Sequence, residues 1–515
     1  MFLADGRIDR IDFKGYPYQH ININGAFRNE TFSGHCSIND PNIVATIESK
    51  DGISLSRHHY VLDAEISHLR PSAVNLLKGK LGDTNYAVNL SANLSGSSLN
   101  NLNGLLKVTN FRAQRGDERY ELQSLQIKAG KSNHDHFVTM LSDFGHIEVT
   151  GQFDYATLLQ SIQNVFIHQL PSIQTLTSFR YRPSHSNNFA LTATILRDDW
   201  LRFFTGVDLN LLQPLSLTCS LDSKTEGIDC HVVAPDLSYN GGHYQNVNII
   251  ATSPNNQLNC QGSLTKTDDN RPGTDYQIQA TAVGNTLRTS LSMDNHAKKQ
   301  RLRGQLNADM AFLPNEKNQV VASIDVKKSH LFVGDSVYTI HADLLTYSKK
   351  HLTIDNLNIA SNSQSIRING QASPNRDDSI IVDLNNVNVE YILDLVNFHS
   401  VDFSGNVNGK AYLSSLFGTP KAKGNIVVSD FQFEEGNMGT LNANVRWNNE
   451  KKQIDIDAIA LDTMHTDRGF QDRRTVINGY VSPKRNDINL TFNAENARGE
   501  FLKGFCSNFM SDIDL

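Results

Sequence analysis

The clearest alternation of apolar and polar residues runs from Ser365 to Phe398. Ile366 and Ile368 alternate with Arg367 and Asn369, the period-2 pattern of a strand with one buried face. Gly370 is expected to interrupt that strand, and Ser373-Pro374-Asn375-Arg376-Asp377 supplies turn chemistry. A second strand follows, with Ile380, Val382 and Leu384 on one face and Ile381, Asp383 and Asn385 on the other. Tyr391, Ile392, Leu395 and Phe398 then take helical spacing, predicting a short amphipathic helix over 389–398.

The same unit returns near the C-terminus. Asn369, Gly370, Ser373, Pro374, Arg376 and Asp378 match Asn478, Gly479, Ser482, Pro483, Arg485 and Asp487 at a constant offset of 109 residues. Ile477 precedes the second glycine, and Ile488, Leu490 and Phe492 form the strand after the turn. A weaker echo lies at His146–Tyr155, where Ile147 and Val149 alternate with Glu148 and Thr150. A recurring strand, glycine, turn, strand and helix argues for a repeating β architecture.

Alternation fills most of the remaining chain. Ile21, Ile23 and Gly25 oppose His20, Asn22 and Asn24; Tyr86, Val88, Leu90, Ala92 and Leu94 alternate with Ala87, Asn89, Ser91 and Asn93. Helical spacing is confined to 71–78, 157–170, 199–212, 389–398 and 500–510. The pattern predicts an all-β chain of roughly two dozen strands, each with one apolar face. The few helices are too small to cover such a sheet. Its apolar face must be hidden by a second sheet, by the sheet curling on itself, or by an apolar ligand.

Composition narrows the choice of partner. The net charge of -7 argues against nucleic acid, which calls for a basic face. Hydrophobic residues make up only 39% of the chain, as suits strands with polar outer faces. No apolar run is long enough for a transmembrane helix, and the first residues lack the features of a signal peptide. The sequence enters strand-like alternation directly at Gly6–Phe13 and stops at Met510–Leu515 with no obvious cap, so the chain is expected to be a segment of a longer protein. None of the five cysteines has metal-ligand spacing. Cys219 and Cys230 could face each other across a hairpin centred on Lys224-Thr225, as a disulfide or as two buried thiols.

Candidate chemistry is sparse. His134-Asp135-His136 and Arg57-His58-His59 are expected in polar loops, because neither brings a third ligand. Asp455 and Asp457 alternate with Ile454 and Ile456, which places both carboxylates on the wet face of one strand. Nucleophile-elbow and phosphate-loop patterns are absent. No catalytic residue, metal or cofactor is expected.

The meandering strands, the glycine–proline turn and the passage Asp383-Leu384-Asn385-Asn386-Val387-Asn388-Val389-Glu390-Tyr391-Ile392-Leu393-Asp394-Leu395 resemble the TamB/AsmA-like proteins of Gram-negative envelopes. The stretches Asn24–Asn42 and Gly151–Leu158 share that likeness. The resemblance implies a long, twisted, mainly antiparallel sheet curled into an elongated U-shaped groove. It places this chain in the middle of the groove, with segments 1–170, 171–398 and 399–515. It also implies a periplasmic location, anchorage to the inner membrane in the full-length protein, an outer-membrane barrel assembly partner, and a non-enzymatic role in conducting phospholipid acyl chains between the membranes. On this reading Val88, Leu90, Ile147, Val149, Ile366, Ile368, Ile380, Val382, Leu384, Ile477, Ile488, Leu490 and Phe492 line the groove. The alternative is a structural or adhesive β-rod, with the same residues forming closed cores.

Overall fold

The structure, a computed structural model, describes residues 2–495 apart from 184–185, 269–270, 298–300, 315–318, 396–401, 434–435, 467–468, 483–484 and 486. The helix expected at 500–510, Phe398 and the second-repeat proline Pro483 lie outside the described residues.

The protein is all-β, with 70% strand and 8% helix. Thirty-two strands are present among the described residues, more than the two dozen expected, and their pairings are antiparallel. The chain divides into two units, one of residues 1–171 and 179–283, the other of residues 172–178 and 284–515. In the first unit the strands run from Phe2–Phe13 to Arg271–Val283; in the second they run from Thr286–Asp294 to Asp487–Glu495.

Within each unit the rule is a meander, in which a strand pairs with the strands before and after it in sequence. Short turns suffice for such connections. Three rows are broken into two collinear pieces. Leu209–Leu211 and Leu215–Asp222 both pair with Gly227–Tyr239. Val320–Val326 and Ser329–Val333 share Leu302–Pro314, and Ser336–His341 and Leu344–Ser348 share His351–Ala360.

Two features differ from the sequence pattern. Gly370 does not interrupt its strand, which runs from Ser365 to Ala372 through it. Its φ of 125°, and the contact a Cβ would make 2.2 Å from the Ser379 carbonyl, show why glycine stands there. Some asparagines within the polar strand pattern bend their strands instead. Asn246, Asn356 and Asn386 have positive φ where strand register shifts, as β-bulges require of one residue. Neighbouring asparagines satisfy two of these bulges: Asn356 and Asn386 donate their backbone N–H groups to Asn369 Oδ1 and Asn408 Oδ1, at 2.7 and 2.9 Å.

The helices are short. The one expected at 157–170 forms as Leu158–Gln169. The stretch 71–78 is a series of turns, and only Gly79–Gly82 is helical. The 199–212 helix stops at Thr205: Gly206 takes a left-handed conformation, and Leu209–Leu211 returns to the sheet. Val389–Leu395 forms within the described part of 389–398.

Candidate functional site: an apolar sheet face

Strand registers place the candidate residues in lateral rows. In the second unit one row runs Leu357, Ile368, Val382, Ala411, Gly424, Val445, Ile456, Gly479 and Leu490, each paired with the next across a strand boundary. The adjacent row runs Ile359, Ile366, Leu384, Gly409, Ile426, Ala443, Ala458, Ile477 and Phe492. Ile380 pairs with Gly370 and Leu413, and Ile488 pairs with Val481, on the same face. All nine candidates of this unit therefore share one side of the sheet.

The opposite side has a different chemistry. Between those rows, Asn358, Arg367, Asp383, Lys410, Asn425, Asn444, Asp457, Asn478 and Thr491 form a polar row. Lys410 Nζ lies 3.5 Å from Asp383 Oδ2 within it. Period-2 alternation thus survives pairing, because the registers keep apolar residues beside apolar residues.

The first unit repeats the arrangement. Ile147 lies in a row with Leu62, Ala92, Leu106, Ile127, Met140, Ala193, Leu217, Val232 and Ile249. Val149 lies in the next row with Leu94, Gly104, Ala129, Val138, Leu191, Cys219 and Cys230. Leu90 pairs with Ala64 and Val108, and Val88 with Ile66, on that face. Cys219 and Cys230 sit directly opposite each other and are joined by a disulfide, which resolves the two readings of this pair.

Coverage of the face is incomplete. Ile380 and Ile477 are 4% and 3% exposed, but the other eleven candidates are only partly buried. Ile249 and Ile278, in the Ile147 row, are each 46% exposed. Leu291 and Leu306 pair on the apolar face of the second unit and are exposed as well.

Helices close the face locally. In the second unit Val389 and Ile392 of Val389–Leu395 pack against a cluster that includes Val407, Val428, Leu441 and Ile477. In the first, Phe203 of the Asp199–Thr205 helix packs with Ala113, Tyr120 and Leu122. Burial, with Asp199 and Asp143 nearby, pushes the Tyr120 hydroxyl pKa up to about 12. Arg115 braces this cluster: its guanidinium lies 4.7 Å from the Phe203 ring centre and donates to the Phe203 carbonyl at 2.8 Å.

Sequence reasoning missed the residue that seats the longest helix. Asn187 is fully buried. Its amide group donates to Thr157 Oγ1 at 3.2 Å and to Ser161 Oγ, and its Oδ1 accepts the Asp154 N–H at 2.7 Å. It therefore pins the start of Leu158–Gln169 to the sheet. A lone asparagine in a polar stretch gives no periodic signal.

The polar candidates do not converge. His136 lies on the strand Asp135–Ser142 rather than in a loop, 5.6 Å from the Phe153 ring, and burial lowers its pKa with help from Lys131. Asp455 accepts from Gln453 and Asn448, and Asp457 is exposed. No group of three His, Cys, Asp or Glu side chains among the described residues is arranged to hold a metal ion. A depression of about 410 Å³ on the polar side of the first unit is lined by His35, Glu48, Asp63, Glu65 and Lys107. No helix among the described residues is long and apolar enough to cross a membrane. No protein-family model, curated protein or solved structure matches the chain.

Proposed function

We propose that the apolar face in each unit is a track for lipid acyl chains, and that the protein works without catalysis, as a conduit for phospholipid in a Gram-negative envelope. The observation that carries this reading is the pairing of apolar rows into broad faces that the described helices leave partly exposed. Transferring one methylene from water to such a face is worth about 0.8 kcal/mol, so a chain of a dozen or more carbons is held firmly. Similar rows at successive positions let the chain shift sideways at little net cost. The polar back of the sheet keeps water on the other side.

The resemblance to TamB/AsmA-like proteins supplies the setting of the proposal. The chain belongs to a periplasmic groove, its full-length protein is tethered to the inner membrane, and a barrel assembly protein receives it at the outer membrane. A second reading has its own support. The buried cluster under Val389–Leu395 is an ordinary packed core, as in a β-rod.

Photo-crosslinking separates the two. A photoreactive amino acid at Val382 on the apolar side, and another at Arg367 on the polar side, are introduced into the full-length protein in cells. The conduit requires phospholipid adducts at Val382 and none at Arg367. Adducts at neither position leave the β-rod.

A further inference from the structure

The turn motif that recurs at an offset of 109 residues has no part in the apolar face. It places Arg376 and Arg485 at one end of the second unit's strands. The pairs Ser348–His351, Leu352–Ala372, Ser379–Ser414, Ser414–Lys421, Asn448–Gln453 and Ser482–Asp487 bring five connections to that end. These connections, 349–350, 373–378, 415–420, 449–452 and 483–486, hold seven Lys or Arg and three Asp or Glu. At the opposite end of the same strands, 361–364, 389–402, 434–435 and 467–468 hold one Lys or Arg and six Asp or Glu. A chain of net charge -7 thus keeps one basic rim.

The turns of this rim are laced side by side. Asn449 donates to the Pro420 carbonyl, Ser482 Oγ donates to the Lys452 carbonyl at 3.0 Å, and Arg485 donates to the Lys451 carbonyl. Arg485 also lies 5.6 Å from the Tyr480 ring centre and pairs with Asp487, so it belongs to the scaffold. Asp378 accepts from Ser373 and Gln371. Lys349, Lys350, Arg376, Lys421, Lys451 and Lys452 are exposed and have no ion-pair partner among the described residues. The nearest apolar row begins just inside them. Gly370, Ile380, Leu413 and Ala422 pair in succession there, as do Trp447, Ile454, Val481 and Ile488. At about 3.3 Å per residue, a phosphate at the rim is within reach of a lipid whose tails lie on that row.

We propose, on the reading of the face as a lipid track, that this rim is the headgroup site of the second unit and selects phospholipids of net negative charge. Lys and Arg side chains hold phosphate oxygens by charge-assisted hydrogen bonds. A zwitterionic headgroup brings its own ammonium group, which the same cations repel. An anionic headgroup brings none.

The test counts lipid by class. The whole chain, purified from a Gram-negative host without detergent, is incubated with vesicles of equimolar phosphatidylglycerol and phosphatidylethanolamine with identical deuterated acyl chains. It is then separated from the vesicles, and its deuterated lipid is measured by mass spectrometry. Wild type should carry phosphatidylglycerol in about threefold excess or more, and high salt should reduce that excess. The comparison protein combines Lys349→Gln, Arg376→Gln, Lys421→Gln and Lys451→Gln with Lys350→Asn and Lys452→Asn, asparagine being at ease where these two lysines have φ of 59° and 52°. It should carry both classes equally. Total lipid reads the track and the ratio reads the rim, so the two can fail separately. Lipid without preference in wild type, or an unchanged preference in the variant, overturns the headgroup site and leaves the track. Wild type that acquires no lipid overturns both. Wild type that floats with the vesicles yet carries no excess phosphatidylglycerol after separation binds a membrane surface instead, which also overturns the site.

Discussion

Val382 and Ile477 lie in adjacent rows of the same face yet differ in environment. Ile477 is buried in the cluster under the Val389–Leu395 helix, whereas Val382 keeps part of its surface in contact with solvent. A carboxylate at Ile477 has no water to turn to, and Ile477→Asp should cost about 3–5 kcal/mol of stability. A carboxylate at Val382 can stay hydrated. Val382→Asp should therefore leave the thermal unfolding midpoint close to wild type while reducing bound lipid. Loss of folding at Val382 would mark the row as closed core.

Glycine makes a second prediction at this scale. A Cβ on Gly479 would lie 1.9 Å from the Asn489 carbonyl oxygen, and its φ is 149°. Gly479→Ala should cost more than about 2 kcal/mol, since neither backbone can give way without loss of pairing. Gly418 has open surroundings and an ordinary φ, so Gly418→Ala serves as the control. Denaturant midpoints of the two variants check the contrast. Tyr120 provides a third. Its raised pKa means that its contribution to stability is complete below the ordinary tyrosine value of about 10 and fades as pH rises through about 12. The phenolate absorbance lost in Tyr120→Phe should appear only near the upper value.

At the scale of elements, alternation made the strands legible and hid their joints. Ile366, Val382 and Leu490 were placed on one face by a period of two, and the registers keep them there. Their pairing partners across strands could not be read, because register depends on turns and bulges rather than on periodicity. Asn356 and Asn386 look like polar strand residues, yet each takes a left-handed conformation where a strand bends. Gly370 looked like a stop because glycine weakens strands, but a sheet that brings a backbone carbonyl this close needs glycine within the strand. Helix length failed where a capping glycine, Gly206, outweighed apolar spacing.

Asn187 is the corresponding test for a helix. Removing its amide strips partners from Thr157, Ser161 and the Asp154 N–H together. Asn187→Ala should raise hydrogen exchange across Leu158–Gln169 by an opening energy about 2–3 kcal/mol lower, with the second unit unchanged. Unchanged protection of that helix would show that apolar contacts through Val165 and Ile167 hold it unaided.

At the scale of the molecule, the unusual property is the imbalance between apolar strand face and the helices available to cover it. A closed core leaves no such surplus, and a soluble protein rarely leaves one bare. The proposed resolution is that lipid covers it. The direct measurement is mass spectrometry of organic extracts from the full-length protein, purified from a Gram-negative host without detergent, beside its Val382→Asp variant. The account predicts phospholipid in near-stoichiometric amount with wild type and a several-fold loss in the folded variant. Wild-type protein that is folded and free of lipid, or equal lipid in both proteins, would contradict it.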